Sequence, residues 1–277
     1  MLKKLNPQEI KQLICRENYD YLDFGCSNGG SLKFGKSYLG GTKGLGVDIN
    51  PDKVRQALEN DLSAVVADVT ELSQLDNVVR FVTLFHFLEH LSGFSAARNC
   101  LDAAITASSD FVLVRQPCFE SDGYLFERGL KLYWSDWTGH PYAMTTLDFY
   151  KIIRGNPKVK AWGVYGRKPI SHSKDLAIHP LASPRNQHAY DPAQHPAKPM
   201  LPLSANLFYE LVVFIQTGNF DLTTLRGVMN IDHVIYETEN LAFLNRPLAK
   251  VFKTPIVKLI NTKFVQTISS LAKGSLF

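Results

Sequence analysis

The stretch Tyr19-Asp20-Tyr21-Leu22-Asp23-Phe24-Gly25-Cys26-Ser27-Asn28-Gly29-Gly30-Ser31 opens as a buried strand and closes as a glycine-rich turn. Tyr21, Leu22 and Phe24 supply the apolar strand. Gly25, Gly29 and Gly30 let the backbone bend sharply and approach something that a side chain would exclude. Asp23 stands just ahead of the turn, where a carboxylate repels a pyrophosphate but pairs with an amino group. The ligand expected on this turn therefore carries an amino-acid end.

Strands and helices alternate outward from that turn. Ser31 to Tyr38 reads as a short helix, Gly44 to Ile49 as a second strand reaching Asp48, and Asn50-Pro51 as the opening of the next helix. Ala64 to Ala67 is a third strand closing on Asp68, Val78 to Phe85 a fourth, Ala96 to Ala107 a helix, and Phe111 to Val114 a fifth strand. Thr146 to Ile153 reads as a helix capped by Thr145 or Thr146, followed by strands over Val159 to Tyr165 and Phe208 to Ile215. This alternation predicts an α/β, doubly wound, mostly parallel sheet covered on both faces, with ligands at the carboxyl ends of its strands. Asp23, Asp48, Asp68 and Phe85-His86 all fall at such ends.

The 277 residues, 45% of them hydrophobic and 20% charged, suffice for a globular domain with additions. No apolar run fits a signal peptide or the roughly 18 residues of a membrane span, so a cytoplasmic location is expected. Cys15, Cys26, Cys100 and Cys118 are far apart and suggest neither a zinc site nor a disulfide framework. Residues 241–277 hold six basic and no acidic residues, which leaves 24 basic against 26 acidic, a net of −2, over the first 240. The basic balance belongs to the tail, and nucleic acid is not an expected partner of the body. The segment Pro169 to Pro202 holds seven of the fourteen prolines and four of the eight histidines, and reads as a lid, a binding loop or a contact surface. The spacing of His172, His179, His188 and His195 matches no common ligand pattern, so no metal is expected there.

Over roughly residues 19–165 and 208–215 the chain resembles the class I S-adenosylmethionine-dependent methyltransferases. Asp23-Phe24-Gly25-Cys26-Ser27-Asn28-Gly29 is similar to the family's acidic-x-G-x-G-x-G motif, with Ser27 in place of the middle glycine. The resemblance implies a Rossmann-like sheet whose last strand is antiparallel, and S-adenosyl-L-methionine as cofactor on Asp23, Gly25, Ser27 and Gly29. It implies that Asp48, with Ile49 beside it, holds the ribose hydroxyls, whose cis-diol suits two acceptor oxygens. Asp68 and Val69 match the position that meets the adenine. Phe85-His86-Phe87-Leu88-Glu89-His90-Leu91 resembles the H-x-x-E-H-L signature of members acting on small molecules, quinones and glycans, with Phe85, His86 and His90 walling the cofactor.

Methyl transfer needs the acceptor atom placed against the methyl group, and a hydroxyl acceptor must also lose a proton. His140 is the expected catalytic base: it lies between the fifth strand and the next helix, and many small-molecule members carry a histidine there. Trp134, Trp137 and Tyr124 are expected to line the acceptor pocket and to stack on a sugar or aromatic ring. The expected reaction is O-methylation of a small molecule or glycan hydroxyl. Gly25-x-Ser27-x-x-Gly30 with Asp48 also approximates a dinucleotide fingerprint, so an NAD(P)-dependent oxidoreductase is the alternative enzyme. A non-catalytic cofactor-binding module with a partner- or membrane-binding tail is a third reading.

The expected organisation is a methyltransferase domain over 1–217, with 169–207 as a proline-rich insertion, and a helical, basic extension over 218–277. Residues 254–273 carry an apolar stripe among lysines, a pattern that serves docking on the domain or on a second subunit, with a peripheral membrane contact as the other reading.

Overall fold

The structure, a computed structural model, describes residues 2–221, 223–231 and 233–238. Helix α1 (Pro7–Glu17) starts at Asn6, whose side chain accepts the Glu9 amide at 3.0 Å while the Glu9 carboxylate accepts the Asn6 amide at 2.9 Å. The chain then runs β1 (Tyr21–Phe24), α2 (Gly30–Tyr38), β2 (Gly44–Asp48), α3 (Pro51–Glu59), β3 (Ala64–Val66), β4 (Val79–Phe85), α4 (Phe94–Ala107) and β5 (Ser108–Pro117). Asn50 caps α3 ahead of Pro51, accepting the Asp52 amide at 2.9 Å. After an insertion come α6 (Thr146–Ile153), opened by a Thr145–Asp148 capping box, then β7 (Ala161–Pro169) and β9 (Phe208–Gln216).

Among the described residues the main sheet has eight strands, in the order β10 (His233–Glu237), β7, β9, β5, β4, β1, β2, β3. The first five strands pair in parallel, and β9 inserts antiparallel between β5 and β7, as the resemblance implied. Strand order reverses between β1 and β4, which opens a crevice at their carboxyl ends. Alternate residues divide the faces. Leu22, Phe24, Val82, Leu84, Val112 and Val114 share one buried cluster with α1, α4 and α6. On the other face Tyr21, Phe81 and Phe111 stack across β1, β4 and β5, with ring centroids 4.8 and 4.9 Å apart.

The insertions form a second layer of packing. Helix α5 (Asp122–Phe126) and β6 (Leu130–Leu132) follow β5, and β6 pairs antiparallel with β8 (Ile178–Pro180) in the proline-rich segment. Phe119, Leu125, Leu130, Leu132, Trp134, Ile170, Ile178, Leu203 and Leu207 give this part its own buried core. The 169–207 segment is thus packed against 118–145.

Within the expected helical extension from residue 218, the described residues hold one helix and one strand. Helix α7 (Thr223–Met229) is followed by β10 (His233–Glu237), which pairs antiparallel with β7 and covers that sheet edge. The physical reason is β-favouring His-Val-Ile-Tyr-Glu, whose Tyr236 ring packs 4.5 Å from that of Trp162. The expected basic helix over 254–273 lies outside the described residues. Among the described residues no helix is long and apolar enough to cross a membrane.

Candidate functional site

The turn after β1 is built as its glycines require. Gly25 has φ +71°, and a Cβ there would lie 2.1 Å from the Phe87 ring. Ser27, which replaces the middle glycine, itself adopts φ +48°, the left-handed conformation that glycine favours. Its amide donates to Asp48 Oδ2 at 2.9 Å, and Asp48 Oδ1 accepts the Asn50 amide at 2.9 Å. The carboxylate at the end of β2 is therefore held in place by the turn after β1 and by the entry to α3.

Against this turn lies a cavity of about 260 Å³, lined by Gly25, Asp48, Ile49, Asp68, Val69 and His90 together with Val47, Thr70, Phe87 and Leu91. Asp68 caps the short 3-10 turn Val69–Glu71, accepting both the amide and the hydroxyl of Thr70 through Oδ1. Asp48 and Asp68 bring acceptors to one wall, the exposed Ile49 and buried Val69 bring apolar surface, and the missing Cβ at Gly25 leaves room at the turn. This donor set fits a nucleoside with a ribose diol and an amino-bearing base.

Asp23 is placed differently from the expectation. It is fully buried, does not line the cavity, and its two oxygens accept the hydroxyls of Ser31 and, at 2.7 Å, Thr83. Burial pushes its carboxyl up to about 7, against the two hydrogen bonds that favour ionisation. Asp23 therefore braces the turn from behind; it does not present a carboxylate to an ammonium group. Ser27 and Gly29 likewise shape the turn without lining the cavity, and Phe85 packs on Phe34 and under the Arg115 guanidinium instead of walling a ligand.

A second cavity, of about 320 Å³, adjoins the first, and His90 lines both. Its walls are His86, Glu89, Tyr133, Trp134, Trp137, His140, His188, Tyr209 and Glu210. Trp134 is buried and donates from Nε1 to the Cys118 carbonyl at 2.8 Å, which fixes its indole. Tyr124, expected here, is absent from the walls: its hydroxyl pairs with Ser204 and its ring lies beneath Arg128. His140 Nδ1 donates to the Trp134 carbonyl at 3.0 Å, and burial lowers its pKa. It is thus a neutral imidazole whose Nε2 carries the lone pair.

At the far wall Glu210 meets Arg115 at 3.2 Å, His86 at 3.2 Å, and Arg167. Burial alone would raise its pKa, but the hydrogen bonds from His86 and Arg167 and the Arg115 charge hold it near 2. His86, with φ +50°, faces this second cavity and not the first. Its raised pKa follows from Glu210 and Glu89, which outweigh the effect of burial.

Sequence reasoning missed Phe87, which fills the space before Gly25, although it stands inside the H-x-x-E-H-L segment. It also missed Tyr209 and Glu210. The only signal for Glu210 is a charge interrupting the apolar run Leu207 to Ile215.

Residues 22–104 match the family model described as a methyltransferase domain. Over those residues the chain thus carries a methyltransferase domain. Among solved structures, a SAM-dependent methyltransferase from Archaeoglobus fulgidus is similar at 17% identity over 76% of this chain and 94% of its own, with a TM-score of 0.48. One from Methanosarcina mazei is similar at 12% identity over 78% and 99%, with a TM-score of 0.44. Magnesium protoporphyrin IX methyltransferase from Synechocystis PCC 6803 is similar at 12% identity over 76% and 82%, with a TM-score of 0.42. No curated protein matches.

Proposed function

We propose that this chain is a cytoplasmic O-methyltransferase that transfers a methyl group from S-adenosyl-L-methionine to a hydroxyl of a small molecule or glycan. The observation that carries the reading is the pair of adjoining cavities sharing His90, one walled by Asp48 and Asp68 and the other by aromatic rings and His140. The bound cofactor supplies an electrophilic methyl on a sulfonium whose departure as a neutral thioether drives the transfer.

The chain's own residues supply binding and placement. Asp48 takes the ribose hydroxyls, Asp68 the amino group of the adenine, and Ile49 and Val69 the faces of the ring. Trp134, Trp137, Tyr133 and Tyr209 form a wall suited to a sugar or phenol ring, since aromatic faces stack on both. His140 activates the acceptor, and its Nε2 can accept the hydroxyl proton because Nδ1 is already committed to a carbonyl.

The test is calorimetric titration with S-adenosylhomocysteine, with NAD as control, followed by transfer of labelled methyl to a panel of sugars and phenols. Binding of the former alone, with label appearing on a hydroxyl, is the expected result. Binding of NAD alone would replace the reading with the oxidoreductase, and cofactor binding without transfer to any acceptor would favour a non-catalytic module.

A further inference from the structure

We propose that Glu89, His90 and His140 form a site for one first-row divalent metal ion of the zinc or manganese class, set where the cofactor and acceptor cavities meet. The proposal deepens the reading above, because the ion would sit where the acceptor hydroxyl must be activated.

Proximity is the first argument. One ligand atom from each of the three residues lies within 4.8 Å of the others. Donors about 2.1 Å from a common ion stand roughly 3 to 3.5 Å apart, so small side-chain rotations close the site. His90 and Glu89 come from the short 3-10 turn Leu88–His90 after β4, and His140 from the segment before α6. The separation of 50 residues is why spacing in the sequence shows no metal pattern.

Tautomer is the second. His90 Nδ1 donates to the Gly139 carbonyl at 2.6 Å, and His140 Nδ1 to the Trp134 carbonyl at 3.0 Å. A carbonyl oxygen only accepts, so each Nδ1 carries the proton and each Nε2 the lone pair. Imidazoles oriented by a carbonyl on the far nitrogen are the usual partners of a metal. The two rings stand 5.1 Å apart.

The third argument is an unsatisfied group. Glu89 is buried, with 1% of its surface exposed, and its Oε2 has no hydrogen-bond partner among the described residues. Its other oxygen lies 3.7 Å from His86 Nδ1, beyond hydrogen-bond length. A buried carboxylate oxygen without a donor is costly, and a cation in the adjoining cavity removes that cost.

Two imidazoles and one carboxylate suit zinc, manganese or ferrous iron better than calcium or magnesium, which take oxygen ligands. Three protein ligands leave positions for water and an acceptor oxygen. A hydroxyl bound there loses its proton to water more readily, as metal-bound water does. With the ion in place the single lone pair on His140 Nε2 is taken by the metal, so this inference replaces the proton-accepting role proposed above, and a fall in turnover in His140→Ala would then be a loss of metal.

The test uses untagged, full-length protein freed of metal with a chelator and titrated calorimetrically with Zn²⁺ and separately with Mn²⁺. Wild type is expected to bind one ion per chain, and Glu89→Gln and His140→Ala to bind it at least about tenfold more weakly with S-adenosylhomocysteine affinity retained. Absence of binding by wild type, or equal binding by both variants, overturns the site. Should either variant fail to fold, anomalous scattering from zinc-soaked wild-type crystals decides: a peak between the three residues supports the site, and a peak elsewhere or none overturns it. Zinc bound there by a wild type that ignores S-adenosylhomocysteine would leave the metal site standing and remove the cofactor reading alone.

Discussion

Asp23 and Asp48 end neighbouring strands, yet one is buried behind the turn and the other lines the cavity. Asp48→Ala is expected to cost most of the cofactor affinity, since two charge-assisted hydrogen bonds of about 1.5–3 kcal/mol each are lost. Titration with S-adenosylhomocysteine checks this, and unchanged binding would remove the ribose assignment. Asp23→Asn should retain that binding, because Ser31 and Thr83 can turn their hydroxyls to an amide. Its signature is in stability. The folded-state pKa of Asp23 is raised to about 7 against 3.8, so both states are protonated at low pH and carry no penalty. As pH rises above 3.8 the unfolded chain ionises while the native state keeps its proton, so stability falls until pH reaches about 7, above which both states are ionised and the penalty is complete. The melting temperature of Asp23→Asn relative to wild type should therefore be more favourable at pH 8 than at pH 5. An equal difference at both would refute the burial account. His140 is shifted the other way, its pKa lowered by burial, so turnover should hold until pH falls below the ordinary histidine value of 6.5. His140→Ala should lower turnover by about 10²–10⁴-fold while S-adenosylhomocysteine binds normally.

At the scale of the element, the turn between β1 and α2 separates two kinds of glycine. Gly25→Ala places a methyl 2.1 Å from the Phe87 ring at a positive φ, whereas Gly30→Ala, within α2, meets nothing nearer than 4.0 Å. The first should abolish S-adenosylhomocysteine binding and destabilise the fold by at least about 1 kcal/mol. The second should be neutral or slightly stabilising, as alanine favours the helix. Calorimetric titration and thermal melts of both variants check the contrast, and equal behaviour would mean that close approach at Gly25 does not matter. This turn was legible in the sequence because strand period, glycine punctuation and the acidic strand ends are all local signals. So was His140, through its position before the capped helix α6. The rest depends on contacts between distant segments. Asp23 reads as a ligand until Ser31 and Thr83 are seen to occupy its oxygens. Tyr124 reads as a pocket aromatic until β6 and β8 pair and carry it to Ser204. The strand β10 is hidden in a segment whose short run of β-favouring residues gains its meaning only from the open edge of β7.

Across the whole molecule, Glu210 ties together strands that are distant in sequence. It lies at the start of the inserted antiparallel strand β9, and reaches Arg115 on β5, Arg167 on β7 and His86 after β4. Its side chain is 10% exposed, and those of Arg115 and Arg167 are 24% and 15% exposed. Removing the carboxylate leaves two guanidinium groups close together without their shared anion. Glu210→Gln should therefore destabilise the protein by an amount near the lower end of the roughly 3–5 kcal/mol seen when a buried pair is broken. The pH dependence gives the sign. The folded-state pKa of Glu210 is held near 2 against 4.5, so its contribution is fully present above 4.5 and is lost as pH falls toward 2. Urea unfolding at pH 7 should show the full deficit of the variant, and at pH 3 the gap from wild type should narrow. A deficit of the same size at both would mean that Glu210 acts through packing alone. A deficit that narrows would establish that charge pairing locks β9 between β5 and β7, and so fixes the wall that faces Trp134 and His140 across the acceptor cavity.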